Sequence, residues 1–130
     1  RFCAEIGDGY RFAVVNFANP DMVGHTGVYE AAVKACETCD VMLGRIHQAL
    51  KRTGGKWIIT AEHGKAETLR DPNNGGPHAY HTTNPVPLIL VGEDRRPLRA
   101  GGSLRDLAPT ILGLLGLPKP TEMSGADLRA

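Results

Sequence analysis

FAVVNFANPDMVGHTG, residues 12–27, decides how the chain is read. Phe12–Phe17 is nearly continuous in apolar character, and the run then breaks at Asn19 and Pro20 into a turn carrying Asp21 and His25. A continuous run, unlike an alternating one, predicts a strand buried on both faces of a parallel sheet. Two later runs, Lys56–Ala61 and Val86–Gly92, have the same character and predict two more strands. Between the first and second, Val28, Ala32, Ala35, Cys39, Met42, Ile46 and Leu50 step by three or four, the period of a helix with one buried face. Lys51 and Arg52 suit the negative end of its dipole, and Gly54 with Gly55 ends it. Strand, helix, strand is a right-handed crossover unit.

A second helix is expected near the C-terminus, capped by Asp106, with Pro109 in its first turn. Ile111, Leu112, Leu114 and Leu115 supply its buried face, and Gly116 with Pro118 stops it. The stretch Leu69–Tyr80 is rich in Asn, Gly and Pro and predicts a loop. The fold class is α/β, a mostly parallel sheet covered by helices.

Composition narrows the function classes. At 42% hydrophobic and 22% charged residues, 130 residues can bury the core of one globular domain. The net charge of +1, without a run of either sign, gives no support for nucleic acid or a membrane surface as partner. Val86–Gly92 is among the longest apolar stretches and is far too short to span a bilayer. No signal peptide opens the chain, which begins at Arg1 and reads as a piece of a longer protein. Three cysteines cannot complete a disulfide framework, and no Asn-x-Ser/Thr acceptor occurs; both favour a reducing, cytoplasmic setting.

The chemistry-bearing residues cluster beside the predicted strand ends: Asp21 and His25 after the first, Glu62 and His63 after the second, His78 and His81 before the third. Open α/β sheets bind ligands beyond the carboxyl ends of their strands. Alone, Asp21 reads as a helix cap, and a single His63 or His81 as a structural histidine. Together, carboxylates and imidazoles without thiolates suit Mn²⁺, Zn²⁺ or Fe²⁺, with Mg²⁺ less favoured. Two such ions could hold a phosphate for in-line transfer. The spacing of Asp21 and His25 points both one way if the segment turns as a helix, and Gly24 with Gly27 would admit a metal or phosphate close to the backbone. His47 reads as a solvated residue on the helix, and Cys36 with Cys39 as packing rather than redox chemistry. Arg95, Arg96, Arg99 and Arg105 could meet an anion, though a solvated loop is the simpler reading.

Residues 16–27, together with TAEHGKAE at 60–67, HTTNPVP at 81–87 and LRDLAPTIL at 104–112 followed by EMSG, resemble the cofactor-independent phosphoglycerate mutases. The resemblance runs from about Tyr10 to the end and implies an alkaline-phosphatase-like fold with two manganese ions. It implies that residues 1–130 are the C-terminal portion of a metal-binding phosphatase domain, without its nucleophile-bearing N-terminal part and inserted substrate domain. The parent would be a monomer that interconverts 3-phosphoglycerate and 2-phosphoglycerate in glycolysis through a phosphoserine. Asp21, His25 and His81 match the ligands of one metal; Glu62 and His63 match two ligands of the other. No residue of this chain matches the nucleophile. The family has aspartate at Glu62, asparagine at Lys65 and a small residue at Tyr80. Another phosphotransferase or hydrolase of the superfamily, or a non-catalytic metal-binding fragment, stays open as an alternative.

Overall fold

The computed structural model describes residues 1–92 and 97–129. The chain divides into two compact units, Arg1–Ile89 and Leu90–Ala130.

In the first unit a single helical turn, α1 (Phe2–Glu5), precedes α2 (Asn19–Gly24) and the long α3 (Tyr29–Thr53). The segment 12–17, expected as a strand, belongs to no sheet among the described residues. Phe12, Val14 and Val15 are exposed, Val14 at 79%. Their apolar character marks a surface fit for burial, but among the described residues no strand lies against it to complete a ladder. Helix α2 forms because Pro20 sits in its first turn, where a missing N–H costs nothing, and Asp21 complements the positive end of the helix. Val28, expected on the buried stripe of α3, is instead its extended N-cap and half-exposed. Ala32, Ala35, Ile46, Ala49 and Leu50 are the buried positions of that helix. Gly54 closes it at φ 68°, a left-handed conformation that glycine adopts without a Cβ clash.

Strands β1 (Trp57–Thr60) and β2 (Leu88–Val91) are shorter than the predicted runs, and they pair antiparallel rather than parallel. The Thr60 hydroxyl donates to the Pro87 carbonyl at 2.8 Å, so the end of β1 meets the start of β2. Apolar runs report burial on both faces, not strand direction, and the intervening chain returns to the edge it left. Within that return, Arg70 and Pro77 form an antiparallel bridge that pinches the expected loop.

In the second unit a 3₁₀ turn (Leu104–Asp106) leads into α4 (Leu107–Leu115). Asp106 stands at the N-cap of α4 as expected, but its side chain makes no cap bond there; it reaches back instead to Ser103, the N-cap of the 3₁₀ turn. The Asp106 carboxylate accepts from the Ser103 N–H at 2.8 Å, the Ser103 hydroxyl at 3.0 Å and the Ala126 N–H at 2.8 Å. These bonds, that from Ala126 foremost, hold its carboxyl below the usual range. Pro109 and Thr110 are the buried residues of α4, while Ile111, Leu112, Leu114 and Leu115 are only half-buried. The side that is covered faces the C-terminal segment, where Leu128 donates its N–H to the Thr110 hydroxyl at 3.0 Å. Thr110 in turn donates to the Asp106 carbonyl at 2.7 Å.

Thr110 is 1% exposed, so Thr110→Val leaves the Leu128 N–H without an acceptor at nearly constant volume. The expected cost is about 1–3 kcal/mol in denaturant unfolding, with Thr110→Ser losing much less.

Candidate metal centre

Helix α2 turns as the spacing requires: the His25 N–H donates to the Asp21 carbonyl at 3.1 Å, placing the two side chains on one face. Asp21 Oδ1 lies 3.4 Å from His25 Nε2. His81, reached only after the long return from β1, brings its Nε2 to 3.1 Å from the same oxygen and 3.2 Å from His25 Nε2. Neither contact to Asp21 Oδ1 has hydrogen-bond geometry, and this buried oxygen has no hydrogen-bond partner among the described residues. Metal–ligand bonds of about 2.0–2.2 Å at angles of roughly 90–110° put neighbouring donor atoms about 2.8–3.6 Å apart. All three separations fall in that range. A carboxylate oxygen and two imidazole nitrogens converging this way fit one divalent transition ion.

Glu62 and His63 lie beside this group rather than in it. Glu62 Oε1 is 3.3 Å from His63 Nε2, and its side chain is 77% exposed. The His63 ring stacks on that of His81, with centroids 3.7 Å apart and planes within 15°. The pair is thus coupled to the first three residues through an imidazole face.

Two loops hold the donors in place. The Glu67 carboxylate accepts from the Lys65 N–H at 2.6 Å, from the Thr82 hydroxyl and from Asn84 Nδ2 at 2.9 Å. It therefore ties the segment after β1 to the residue that follows His81. Gly64 lies inside this clamp, where a Cβ would stand 2.1 Å from Thr82 Oγ1. The hydrogen bond from Thr82 is the main reason the Glu67 carboxyl falls to about 2.

Lys65 does not pair with Glu62. Its stem crosses under α2, 3.1 Å from where a Gly24 Cβ would stand, and Nζ ends at the Ala79 carbonyl (2.5 Å) and His25 Nδ1 (3.1 Å). Gly24 and Gly27 thus make room for Lys65 and for Pro77, not for a phosphate.

The remaining candidates fall away. His78 and Tyr80 meet edge to face outside the group, and His47 is exposed against Trp57. Cys39 is half-buried, and burial raises its thiol further from the reactive thiolate; Cys36 is exposed rather than packed. Arg99 and Arg105 are exposed, while Arg95 and Arg96 lie outside the described residues.

The model of the Metalloenzyme superfamily matches residues 2–119. The chain belongs to the metalloenzyme superfamily. Within it, the sequence is 57% identical over 123 residues to the 2,3-bisphosphoglycerate-independent phosphoglycerate mutase of Cereibacter sphaeroides, covering 95% of this chain and 24% of that protein. It is 54% identical over 128 residues to that of Ruegeria pomeroyi, covering 98% and 25%. Among solved structures, Leishmania mexicana phosphoglycerate mutase, crystallised at low cobalt concentration, superposes with a TM-score of 0.85 at 30% identity. That match covers 95% of this chain and 26% of the other. The chain thus spans about a quarter of the length of the relatives it matches, and the resemblance drawn from residues 16–27, 60–67, 81–87 and the segment from 104 onward is borne out.

Two supports of this candidate site were not read from the sequence. One is the Ala79 carbonyl, a backbone atom that carries no sequence signal. The other is the Glu67 clamp, whose signal was present in Thr82 and Asn84, short hydrogen-bonding residues just after a candidate ligand.

Because the Glu67 carboxyl is lowered, its contribution is complete above 4.5 and fades as pH falls toward about 2. Glu67→Gln is therefore expected to destabilise by about 1 kcal/mol or less at neutral pH, as suits an exposed group. Urea unfolding across pH should show that gap closing as acidity approaches pH 2.

Proposed function

We propose that this chain is the C-terminal portion of the metal-binding phosphatase domain of a cofactor-independent phosphoglycerate mutase. The observation that carries the reading is the convergence of Asp21 Oδ1, His25 Nε2 and His81 Nε2 within 3.4 Å of one another. The whole protein interconverts 3-phosphoglycerate and 2-phosphoglycerate through a phosphoserine, as an isomerase of glycolysis in the cytoplasm, and acts as a monomer. Asp21, His25 and His81 hold one Mn²⁺, with Co²⁺, Zn²⁺ or Fe²⁺ as chemically similar occupants. Glu62 and His63 contribute two ligands to a second ion, completed by residues outside this chain. When bound, the pair of ions stabilises charge on the transferring phosphoryl group.

The residues of this chain have supporting roles in that reaction. Asp21 brings the negative charge that makes a dication welcome between two neutral imidazoles. The stack of His63 on His81 fixes the spacing of the two ligand groups. The nucleophilic serine and the domain that holds the glycerate lie outside residues 1–130, so the chain alone does not turn over.

One observation favours a second reading, a non-catalytic chain with a single metal. Glu62 stands where the family has the shorter aspartate, and its side chain points to solvent. An added methylene displaces a carboxylate by about an ångström, enough to weaken the second set without touching the first.

Metal analysis after Mn²⁺ loading and desalting decides between these readings. About one ion per chain, with affinity reduced at least 100-fold in Asp21→Ala, is expected from a first set that assembles by itself. No bound ion in the parent chain overturns the metal assignment, and mutase turnover at family-like rates by residues 1–130 overturns the assignment of the nucleophile elsewhere.

A further inference from the structure

Asparagine is a thermolabile residue, and of the asparagines in this chain only Asn74 precedes a glycine. Asn19 and Asn84 precede prolines, whose nitrogen has no proton to lose, and Asn16 and Asn73 precede residues whose side chains crowd the peptide nitrogen. The Gly75 nitrogen meets neither obstacle. Asn74 and Gly75 are both exposed at the tip of the return from β1, open to water and hydroxide. Once hydroxide has taken its proton, the Gly75 nitrogen can attack Asn74 Cγ. The N–Cγ bond forms, the Cγ–Nδ2 bond breaks, and Nδ2 leaves as ammonia with a proton supplied by water. A second water then opens the cyclic imide. Cleavage at Cγ leaves aspartate, and cleavage at the main-chain carbonyl leaves isoaspartate.

The turn engages each atom in that step. Asn74 Nδ2, the leaving nitrogen, donates to Asp71 Oδ2 at 3.1 Å. The Gly75 N–H, whose proton must be lost, donates to the Asp71 carbonyl at 2.8 Å. Asp71 Oδ1 accepts from the Asn73 N–H at 2.8 Å, and the Asp71 N–H donates to the Gly76 carbonyl at 2.8 Å, so the residue that clasps the turn is itself fixed at both ends. One bond acts in the opposite sense: the Gly76 N–H donates to Asn74 Oδ1 at 2.8 Å and polarises the amide carbonyl, as an oxyanion donor would. That polarisation has no effect while the nucleophile keeps its proton against Asp71, so opening of the clasp comes first.

We propose that Asn74 is a site of spontaneous deamidation, and that Asp71 holds the reaction back by clasping both the leaving nitrogen and the nucleophile. The reaction needs only water and hydroxide, and the proposal is independent of the metal reading. The product places a carboxylate oxygen where Nδ2 faced Asp71 Oδ2, and two like charges at that spacing repel, so the clasp does not reform.

Peptide mapping by mass spectrometry, during incubation of the chain at mildly alkaline pH, tests this. The folded parent is expected to convert Asn74 roughly tenfold more slowly than the same chain unfolded in guanidinium chloride, since the bonds from Asn74 Nδ2 and Gly75 must both open. Asp71→Ala, with circular dichroism showing that it is folded, is expected to convert Asn74 about fivefold faster than the folded parent. No conversion in the unfolded chain overturns the site. Equal rates for the folded and unfolded parent overturn the clasp, as does a folded Asp71→Ala no faster than the parent. If Asp71→Ala does not fold, Asp71→Asn replaces it: it keeps the size, removes the charge that strengthens both side-chain bonds, and adds no new cyclisation site because Pro72 follows. Faster conversion of Asn74 is expected there too, and a rate equal to that of the folded parent overturns the role of Asp71.

Discussion

The Ala79 carbonyl is where the site is fastened together. It takes hydrogen bonds from the end of α2 through His25 and from the segment after β1 through Lys65, and it belongs to the loop that delivers His81. Three stretches distant in sequence therefore share one acceptor. A carbonyl with two lone pairs can serve two donors. The site geometry follows from satisfying that atom. His25 is oriented from behind, and His81, two residues beyond Ala79, is brought opposite Asp21.

The Glu67 clamp acts on the same loop from its other side. Its carboxylate gathers the Lys65 N–H, Thr82 and Asn84, so His81 lies between two fixed points, Ala79 before it and Thr82 after it. Held there, the two imidazoles press on a buried carboxylate oxygen that has no hydrogen bond of its own among the described residues. Such an arrangement is costly when its only neighbours are nitrogens, and it becomes favourable around a dication, which the three donor atoms can share. The Metalloenzyme match over residues 2–119 agrees with that chemistry.

Much of this was legible in the sequence because the relevant signals are local. The i, i+4 spacing of Asp21 and His25 after Pro20 specified a helical turn, and the 3.6-residue stripe specified α3 with its glycine stop. What was not legible depends on partners far along the chain. Phe12–Phe17 has the composition of a buried strand, but a strand needs a neighbour, and among the described residues none is there. The direction of β2 could not be read from Leu88–Val91 either, since a run buried on both faces looks the same in parallel and antiparallel ladders. Asp106 does stand at the N-cap of α4, but that its carboxylate would pair back with Ser103 three residues earlier was not read. Lys65 was visible as a departure from the family pattern; that its ammonium turns under α2 rather than toward Glu62 required the empty side of Gly24.

The central claim is that Asp21, His25 and His81 close on one metal as a set. X-ray absorption fine structure of the chain loaded with substoichiometric Co²⁺ tests it most directly, because outer-shell imidazole scattering counts the histidines on the ion. The account predicts two imidazoles and at least one oxygen donor at about 2.0–2.2 Å. A spectrum with oxygen donors only, or with a single imidazole, would contradict it.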